Sequence, residues 1–168
     1  ACRDICAHGG PSLKDGAMAI DWNKCAGCGR CLHVCPVDAI SSSNSDAALY
    51  LNYKIAEYAK AVVDGRPHFH ISLVRDVSPY CDCHAENDIP IVPDVGMFAS
   101  FDPVALDLAC ADAVNAQPVM AGSKLSKAEP SDKDNLTRDF PHTSWRAQIE
   151  HAKKIGLGED TYELVNIG

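Results

Sequence analysis

The chain has 168 residues and a mass of 18.0 kDa, which is enough for one ordinary domain or for a small module joined to one. Its 46% hydrophobic and 23% charged residues are typical of a globular protein and exclude a disordered or collagen-like chain. The net charge of -8 argues against nucleic acid or an anionic membrane as partner, and the sequence has no apolar run long enough to span a bilayer.

The cysteine content is the unusual part of the composition. There are nine cysteines, and six of them fall within the first 35 residues. An odd and clustered set of thiols fits metal ligation better than a disulfide framework. The start of the sequence has no basic segment followed by an apolar one, so we expect a cytoplasmic protein.

The first motif is a complete run of four cysteines, Cys25-x-x-Cys28-x-x-Cys31-x-x-x-Cys35-Pro. This is the spacing of bacterial ferredoxins that bind a 4Fe-4S cluster. Gaps of two residues let three thiolates surround one compact cluster, and the small residues between them permit tight turns. Zinc is the alternative, but zinc sites usually separate two cysteine pairs by a longer gap. We therefore predict a 4Fe-4S cluster, with His33 as a loop residue beside it.

Half of a second run precedes the complete one. Cys2 and Cys6 repeat the gap between Cys31 and Cys35, displaced by 29 positions. In two-cluster ferredoxins the fourth cysteine of each run binds the other cluster. Cys6 would then complete the cluster held by Cys25, Cys28 and Cys31. Cys2 and Cys35 would form half of a second site. The two missing ligands would lie upstream in a longer protein, of which this chain would be a fragment. The alternative is one cluster held by the complete run alone.

The cysteine-rich part is predicted to be a small ferredoxin-like module covering residues 1–42. Short strands are expected at Ala17–Asp21 and Val37–Ser42, on either side of the cluster loop. So few residues cannot form an adequate core without their metal centre, so cluster assembly and folding should be coupled. The polar segment Ser41–Ser45 is expected to join this module to the rest of the chain.

Residues 43–168 are predicted to form a layered α/β domain, so the chain as a whole belongs to the α+β or α/β class. The periodicity of apolar residues and the positions of Gly and Pro define its elements. In chain order these are a helix over Asp46–Asp64, a strand at Phe69–Leu73, an extended stretch at Ile89–Val92, a buried helix from Pro103 to Val114, a long loop over Met120–Pro141, a helix around Trp145–Ala152 and a closing strand at Tyr162–Ile167.

A second candidate site is the loop Cys81-Asp82-Cys83-His84. In an extended segment both thiols point the same way, which suits metal binding or redox chemistry, whereas a disulfide between them would be strained. His68 and His70 alternate along the preceding strand and could add nitrogen ligands. The alternative is a polar loop with two incidental thiols.

The buried helix carries several groups that need an explanation. Asp102 is expected to cap its N-terminus, before Pro103 in the first turn. Asp107 and Asp112 need partners or solvent on an otherwise apolar helix, and Cys110 is expected to be a small buried side chain. The sequence has no P-loop, G-x-S-x-G or G-x-G-x-x-G motif, so nothing in it indicates nucleotide binding or a serine hydrolase.

Three stretches together resemble one family. They are A-E-Y-A-K-A-V-V-D-G, then H-I-S-L-V-R-D-V-S-P-Y-C-D-C-H, then P-I-V-P-D-V-G-M-F-A-S-F-D-P-V-A-L-D. The chain is similar over nearly its whole length to uncharacterised iron–sulfur centre proteins that carry the domain of unknown function 362. The resemblance implies that Cys81, Cys83, Asp102 and Asp107 belong to the family pattern, and that members extend further at the N-terminal side. It implies no particular activity.

The sequence therefore predicts an iron–sulfur protein that transfers electrons through the cluster of Cys6, Cys25, Cys28 and Cys31. Because the chain is acidic, its partner is expected to be a redox protein with a basic docking patch. Two alternatives remain open. One is a redox enzyme with its active or metal site at the Cys81–His84 loop, and the other is a cluster with a structural or sensory role.

Overall fold

The computed structural model of the chain describes residues 1–37, 39–40, 46–81, 87 and 89–167. It divides into two compact units, Ala1–Ser45 and Asp46–Gly168. Both units combine helices with a small antiparallel sheet, so the fold class is α+β. Among the described residues, no helix is long and apolar enough to cross a membrane.

The first unit contains two one-turn helices and a β-hairpin. In chain order they are α1 (Cys2–Ile5), β1 (Pro11–Lys14), β2 (Ala17–Ile20) and α2 (Arg30–His33). The two strands pair antiparallel from Pro11↔Ile20 to Lys14↔Ala17. The strand predicted at Ala17–Asp21 is therefore confirmed.

The strand predicted at Val37–Ser42 is not found in the part of that segment that the structure describes, which is residues 37, 39 and 40. The backbone N–H of Ala39 donates instead to the Sγ atom of Cys35, at 3.2 Å. That bond turns the chain back towards the cysteine, and it uses an amide that a strand would need for its ladder.

The second unit is built around one helix packed on a two-stranded sheet. Its elements are α3 (Ala47–Val63), β3 (His70–Val74), β4 (Gly96–Ser100), α4 (Pro103–Asn115), a 3₁₀ turn (Leu125–Lys127), α5 (Asn135–Asp139) and α6 (Trp145–Lys154). Strands β3 and β4 pair antiparallel, from His70↔Ser100 to Val74↔Gly96. Helix α4 packs on both strands and on α5 and α6, and α3 packs on α6.

Two apolar clusters form the core of this unit. One joins the end of β3, the segment around residues 91–92, the end of α4 and the 3₁₀ turn, through Val74, Ile91, Val92, Val114 and Leu125. The other lies between α3, α4 and α6, through Ala56, Val104, Ile149 and Ala152. The predicted helices at 46–64, 103–114 and 145–152 are confirmed within one or two residues at their ends.

Three predictions for this unit need correction. The extended stretch at Ile89–Val92 is a bend, because Pro90 and Pro93 lack N–H groups, although Ile91 still bonds to Val77 and Met120 through its own backbone. The loop over Met120–Pro141 contains the 3₁₀ turn and α5, which begins at a cap formed by Asp134. Residues 162–167, predicted as a closing strand, are not in a strand.

Lys124 joins the 3₁₀ turn to α5 through a nearly buried ion pair. Its Nζ atom lies 2.6 Å from Oδ1 of Asp139 and 2.9 Å from the Asp139 carbonyl oxygen. The same ammonium group lies over the rings of Phe140 and Tyr80, 4.1 and 4.7 Å from their centroids. The Asp139 side chain is only 4% exposed, so its carboxylate depends on this partner.

We expect Lys124→Met to lower the free energy of unfolding by about 3 kcal/mol, because it leaves a buried carboxylate without its counter-ion. Urea unfolding followed by circular dichroism measures this. The matched control is Lys153→Met, which removes an exposed pair with Asp160 and should change stability by less than about 1 kcal/mol. Equal effects of the two substitutions would contradict a special role for Lys124.

Candidate metal centre

The β-hairpin of the first unit brings two separate cysteines together. Its ladder extends one step beyond the strands, because the N–H of Asp21 donates to the carbonyl of Gly10 at 2.8 Å. Cys6 lies four residues before Gly10, and Cys25 lies four residues after Asp21. A Cβ atom added at Gly10 would lie 3.6 Å from the Cα atom of Cys25, so the two loops are already in contact. Residues far apart in sequence therefore meet at the end of the hairpin.

Four of the predicted ligands line a single cavity there. They are Cys6, Cys25, Cys28 and Cys31. Neither Cys2 nor Cys35 lines this cavity. The other lining residues are His8, Gly10, Pro11, Ile20, Ala26, Gly29 and Arg30. The cavity thus brings together the four cysteines of the interpretation in which Cys6 completes the cluster of Cys25, Cys28 and Cys31.

The loop between these cysteines depends on two glycines. Gly27 and Gly29 have φ angles of +70° and +72°, which side chains other than glycine rarely adopt. Gly29 also precedes the first residue of α2, so the reversal at this position sets the start of the helix that carries Cys31. The small residues of the sequence motif therefore shape the loop as predicted.

Backbone N–H groups surround the sulfur of Cys6. The N–H of Gly10 donates to its Sγ atom at 3.4 Å. This bond and those from the N–H groups of His8 and Gly9 lower the pKa of the Cys6 thiol, against the opposing effect of burial. The same bonds stabilise the thiolate, which is the form that binds metal.

Cys35 has the same local arrangement as Cys6. Each is the last cysteine of its run, and each accepts a hydrogen bond from the backbone N–H four residues later, Gly10 for Cys6 and Ala39 for Cys35. The third cysteines, Cys2 and Cys31, both lie in one-turn helices, and these helices contact each other. The repeat of 29 positions seen in the sequence is thus also a repeat of local structure.

The donor set at the cavity fits an iron–sulfur cluster. Thiolates are the soft ligands that such clusters require. Within the described parts of the chain, no three Cys, His, Asp or Glu side chains approach closely enough to hold a single metal ion. In a cubane cluster each thiolate binds a different iron atom, so its four sulfurs stand further apart than the ligands of one ion.

The second candidate site is only partly described. Cys83 and His84 lie outside the described residues, and Cys81 is exposed. His68 and His70 contact each other, with His68 Nδ1 lying 2.8 Å from His70 Nε2. The metal or redox role of this loop therefore remains a prediction.

The acidic residues of α4 have structural surroundings. Asp102 caps the helix as predicted, since its Oδ1 accepts from the N–H groups of Val104 and Ala105. Asp112 accepts a hydrogen bond from the hydroxyl of Tyr162 at 3.0 Å. Burial raises the pKa of Asp107, and the nearby charge of His70 opposes that shift. These hydrogen bonds account for the carboxylates of Asp102 and Asp112 without a catalytic role.

Cys110 packs beside the first apolar cluster of the second unit, but it is only partly buried, so the prediction of a buried small side chain is confirmed in part. Burial raises the pKa of its thiol, and a hydrogen bond with Ser72 opposes the shift. The neutral thiol is therefore favoured, as expected for a packing residue.

Comparison with known families gives a match to the model described as "Domain of unknown function (DUF362)", over residues 13–112. The match begins in β1, includes the complete cysteine run, and ends within α4. The chain belongs to the DUF362 family. Within this DUF362 match also lie the four residues that the resemblance assigned to the family pattern, Cys81, Cys83, Asp102 and Asp107.

One relative has a descriptive name. The chain is 40% identical over 43 residues to a protein of Methanocaldococcus jannaschii named as an uncharacterized ferredoxin. The match covers 26% of this DUF362 chain and 28% of the relative, so the chain spans little more than a quarter of the relative's length. No solved structure is similar enough to count as a match.

Proposed function

We propose that this chain binds a 4Fe-4S cluster through Cys6, Cys25, Cys28 and Cys31 and uses it to transfer electrons. The observation that carries the proposal is the cavity lined by these four cysteines. The spacing of the complete run and the similarity to a protein named as a ferredoxin support the same cofactor.

When bound, the cluster would supply a site for one-electron oxidation and reduction. The chain holds it with four thiolates, three from one loop and one from the segment before the hairpin. The N–H group of Gly10 stabilises negative charge on the Cys6 sulfur, and such bonds tune the reduction potential of a cluster. Pro11 and Ile20 are apolar residues that also line the cavity.

We also propose that Cys2 and Cys35 are half of a second cluster site, completed in a longer protein by two upstream cysteines. The support is the matching environment of the two fourth cysteines, Cys6 with the N–H of Gly10 and Cys35 with that of Ala39. A second site would make the intact module a two-cluster electron carrier.

The charge is distributed unevenly between the two units, which bears on the proposed redox partner. Residues 1–45 contain four Lys or Arg and four Asp or Glu, so the whole excess of -8 lies in residues 46–168. The four cysteine thiolates would carry more negative charge than the positive charge of the oxidised cluster core, so the loaded site would be negative. We therefore propose a partner protein with a basic docking patch, acting in the cytoplasm, where thiols stay reduced.

Anaerobic reconstitution with iron and sulfide tests the proposal. We expect about four iron and four sulfide per chain, a brown protein, and an EPR signal of a spin-1/2 cluster after reduction with dithionite. A colourless chain that binds zinc in preference to iron would contradict the cofactor. A cluster that decomposes on one-electron reduction, instead of cycling reversibly, would contradict electron transfer while leaving cluster binding intact.

A further inference from the structure

The side of β3 that faces α4 carries polar side chains where the strand begins. His70 and Ser72 lie on this side, and His68 continues the same alternation before the strand. Helix α4 contributes further polar groups, since the Cys110 thiol forms a hydrogen bond with Ser72 and the charge of His70 acts on Asp107. Apolar side chains usually fill such a contact between a strand and a helix, so packing alone does not explain these groups.

The rings of His68 and His70 are in direct contact. Nδ1 of His68 lies 2.8 Å from Nε2 of His70, and the two ring planes are inclined at 56°. Two nitrogens that bind one metal ion at about 2.0–2.1 Å lie about 2.8–3.0 Å apart at right angles, and about 3.3–3.4 Å apart in a tetrahedral site. The observed spacing is therefore that of adjacent ligands in square-planar or tetragonal coordination, the geometry of Ni²⁺ and Cu²⁺ sites.

The surroundings of this histidine pair supply one further group that supports metal binding. A ring that uses Nε2 towards the metal has its Nδ1–H left for a carboxylate, which fixes the orientation of the ring. Asp107 is the carboxylate whose charge interacts with His70. No third Cys, His, Asp or Glu completes a site in the described ranges, so the other coordination positions would be open to water.

A groove at the end of α3 reaches His68 from the solvent. Lys60 and Arg66 also line this groove, but each donates to a backbone carbonyl group, and Lys60 forms an ion pair with Asp64. Their charges are therefore partly offset. Residues 46–168 carry the whole net charge of -8, which favours the approach of a cation.

We propose that His68 and His70 bind one divalent metal ion of the Ni²⁺ or Cu²⁺ type, with water in the remaining positions. Binding breaks the hydrogen bond between the rings, and each neutral ring then keeps its proton on its other nitrogen, Nε2 in His68 and Nδ1 in His70. This site is separate from the four cysteines of the proposed cluster and uses no residue of the Cys81–His84 loop.

Calorimetric titration of the purified chain with Ni²⁺ tests this proposal. Thiols also bind Ni²⁺, so ¹H–¹⁵N NMR spectra are needed to locate the ion, because paramagnetic Ni²⁺ broadens the signals of nearby residues. We expect broadening centred on residues 68–72. Either His68→Gln or His70→Gln should weaken binding at this position at least tenfold, because each removes one of two protein ligands.

The matched control is His142→Gln, because His142 is exposed and lies outside β3. It should bind Ni²⁺ like the unmodified chain, and so should Cys81→Ser. Signals of β3 that stay sharp, or binding that persists in both histidine variants, would show an ordinary hydrogen bond between the rings and overturn the proposal. Loss of binding in Cys81→Ser would assign the ion to the Cys81–His84 loop and would overturn it as well.

Discussion

Replacing Cys6 by alanine is expected to abolish stable cluster loading, although Cys6 lies nineteen residues before the cysteine run that identifies the site. Its sulfur shares a cavity with Cys25, Cys28 and Cys31, and its loss leaves one iron without a protein thiolate. We expect the iron retained after gel filtration to fall at least tenfold, given that even the loss of supporting residues costs roughly 10–100-fold in metal affinity. Iron analysis and the visible absorption band measure this.

Cys35→Ala is the matched control for this substitution. Cys35 is also the fourth cysteine of its run and accepts the same type of backbone hydrogen bond, but it does not line the cavity. We expect it to retain nearly full cluster content. The opposite pattern, with iron lost in the Cys35 variant and kept in the Cys6 variant, would establish the alternative in which the complete run binds one cluster alone.

Gly158→Ala is expected to destabilise the second unit by about 3 kcal/mol. A methyl group there would overlap the Oδ1 atom of Asp102 and lie 2.7 Å from its Cγ. That carboxylate cannot move without loss, because it accepts from the N–H groups of Val104 and Ala105 at the start of α4 and from that of Glu159. The expected effect combines the loss of a helix cap with overpacking. Urea unfolding followed by far-UV circular dichroism measures it.

A double-mutant cycle separates this clash from a general effect of the substitution. Asp102→Ala alone should cost about 1–2 kcal/mol, because the cap is lost. In that background Gly158→Ala should cost less than about 0.5 kcal/mol, because the atoms that it would overlap are gone. Additive costs would show that the contact between Gly158 and Asp102 is not the cause.

The spacing of side chains along the sequence was enough to predict several local features. The cysteine run, its glycines, the Asp102 cap and the three long helices each depend on residues within a few positions of one another. Local hydrogen bonds and backbone preferences decide such features, so they can be predicted without knowing the fold.

The same local reasoning failed where a segment responds to distant neighbours. Strand β4, Gly96–Ser100, was missed because it is defined by pairing with β3 more than twenty residues earlier. The apolar positions along α3 do not reveal its covered side either, since Leu51, Ile55 and Val62 are exposed while Ala56 is buried at 2%. Which face of an amphipathic element is covered depends on the elements that reach it.

The sequence by itself determined that the chain has the thiols for an iron–sulfur cluster, and in which order they come. It left two ligand sets open, one with Cys35 and one with Cys6. Only the tertiary structure shows that Cys6, and not Cys35, lines the cavity of Cys25, Cys28 and Cys31, because the β1–β2 hairpin and the bond between Asp21 and Gly10 carry the segment of Cys6 to the loop of Cys25. This placement supports the ligand set that we propose. The physical reason is that strand pairing acts between residues distant in sequence, so their proximity cannot be read from the spacing of either segment alone.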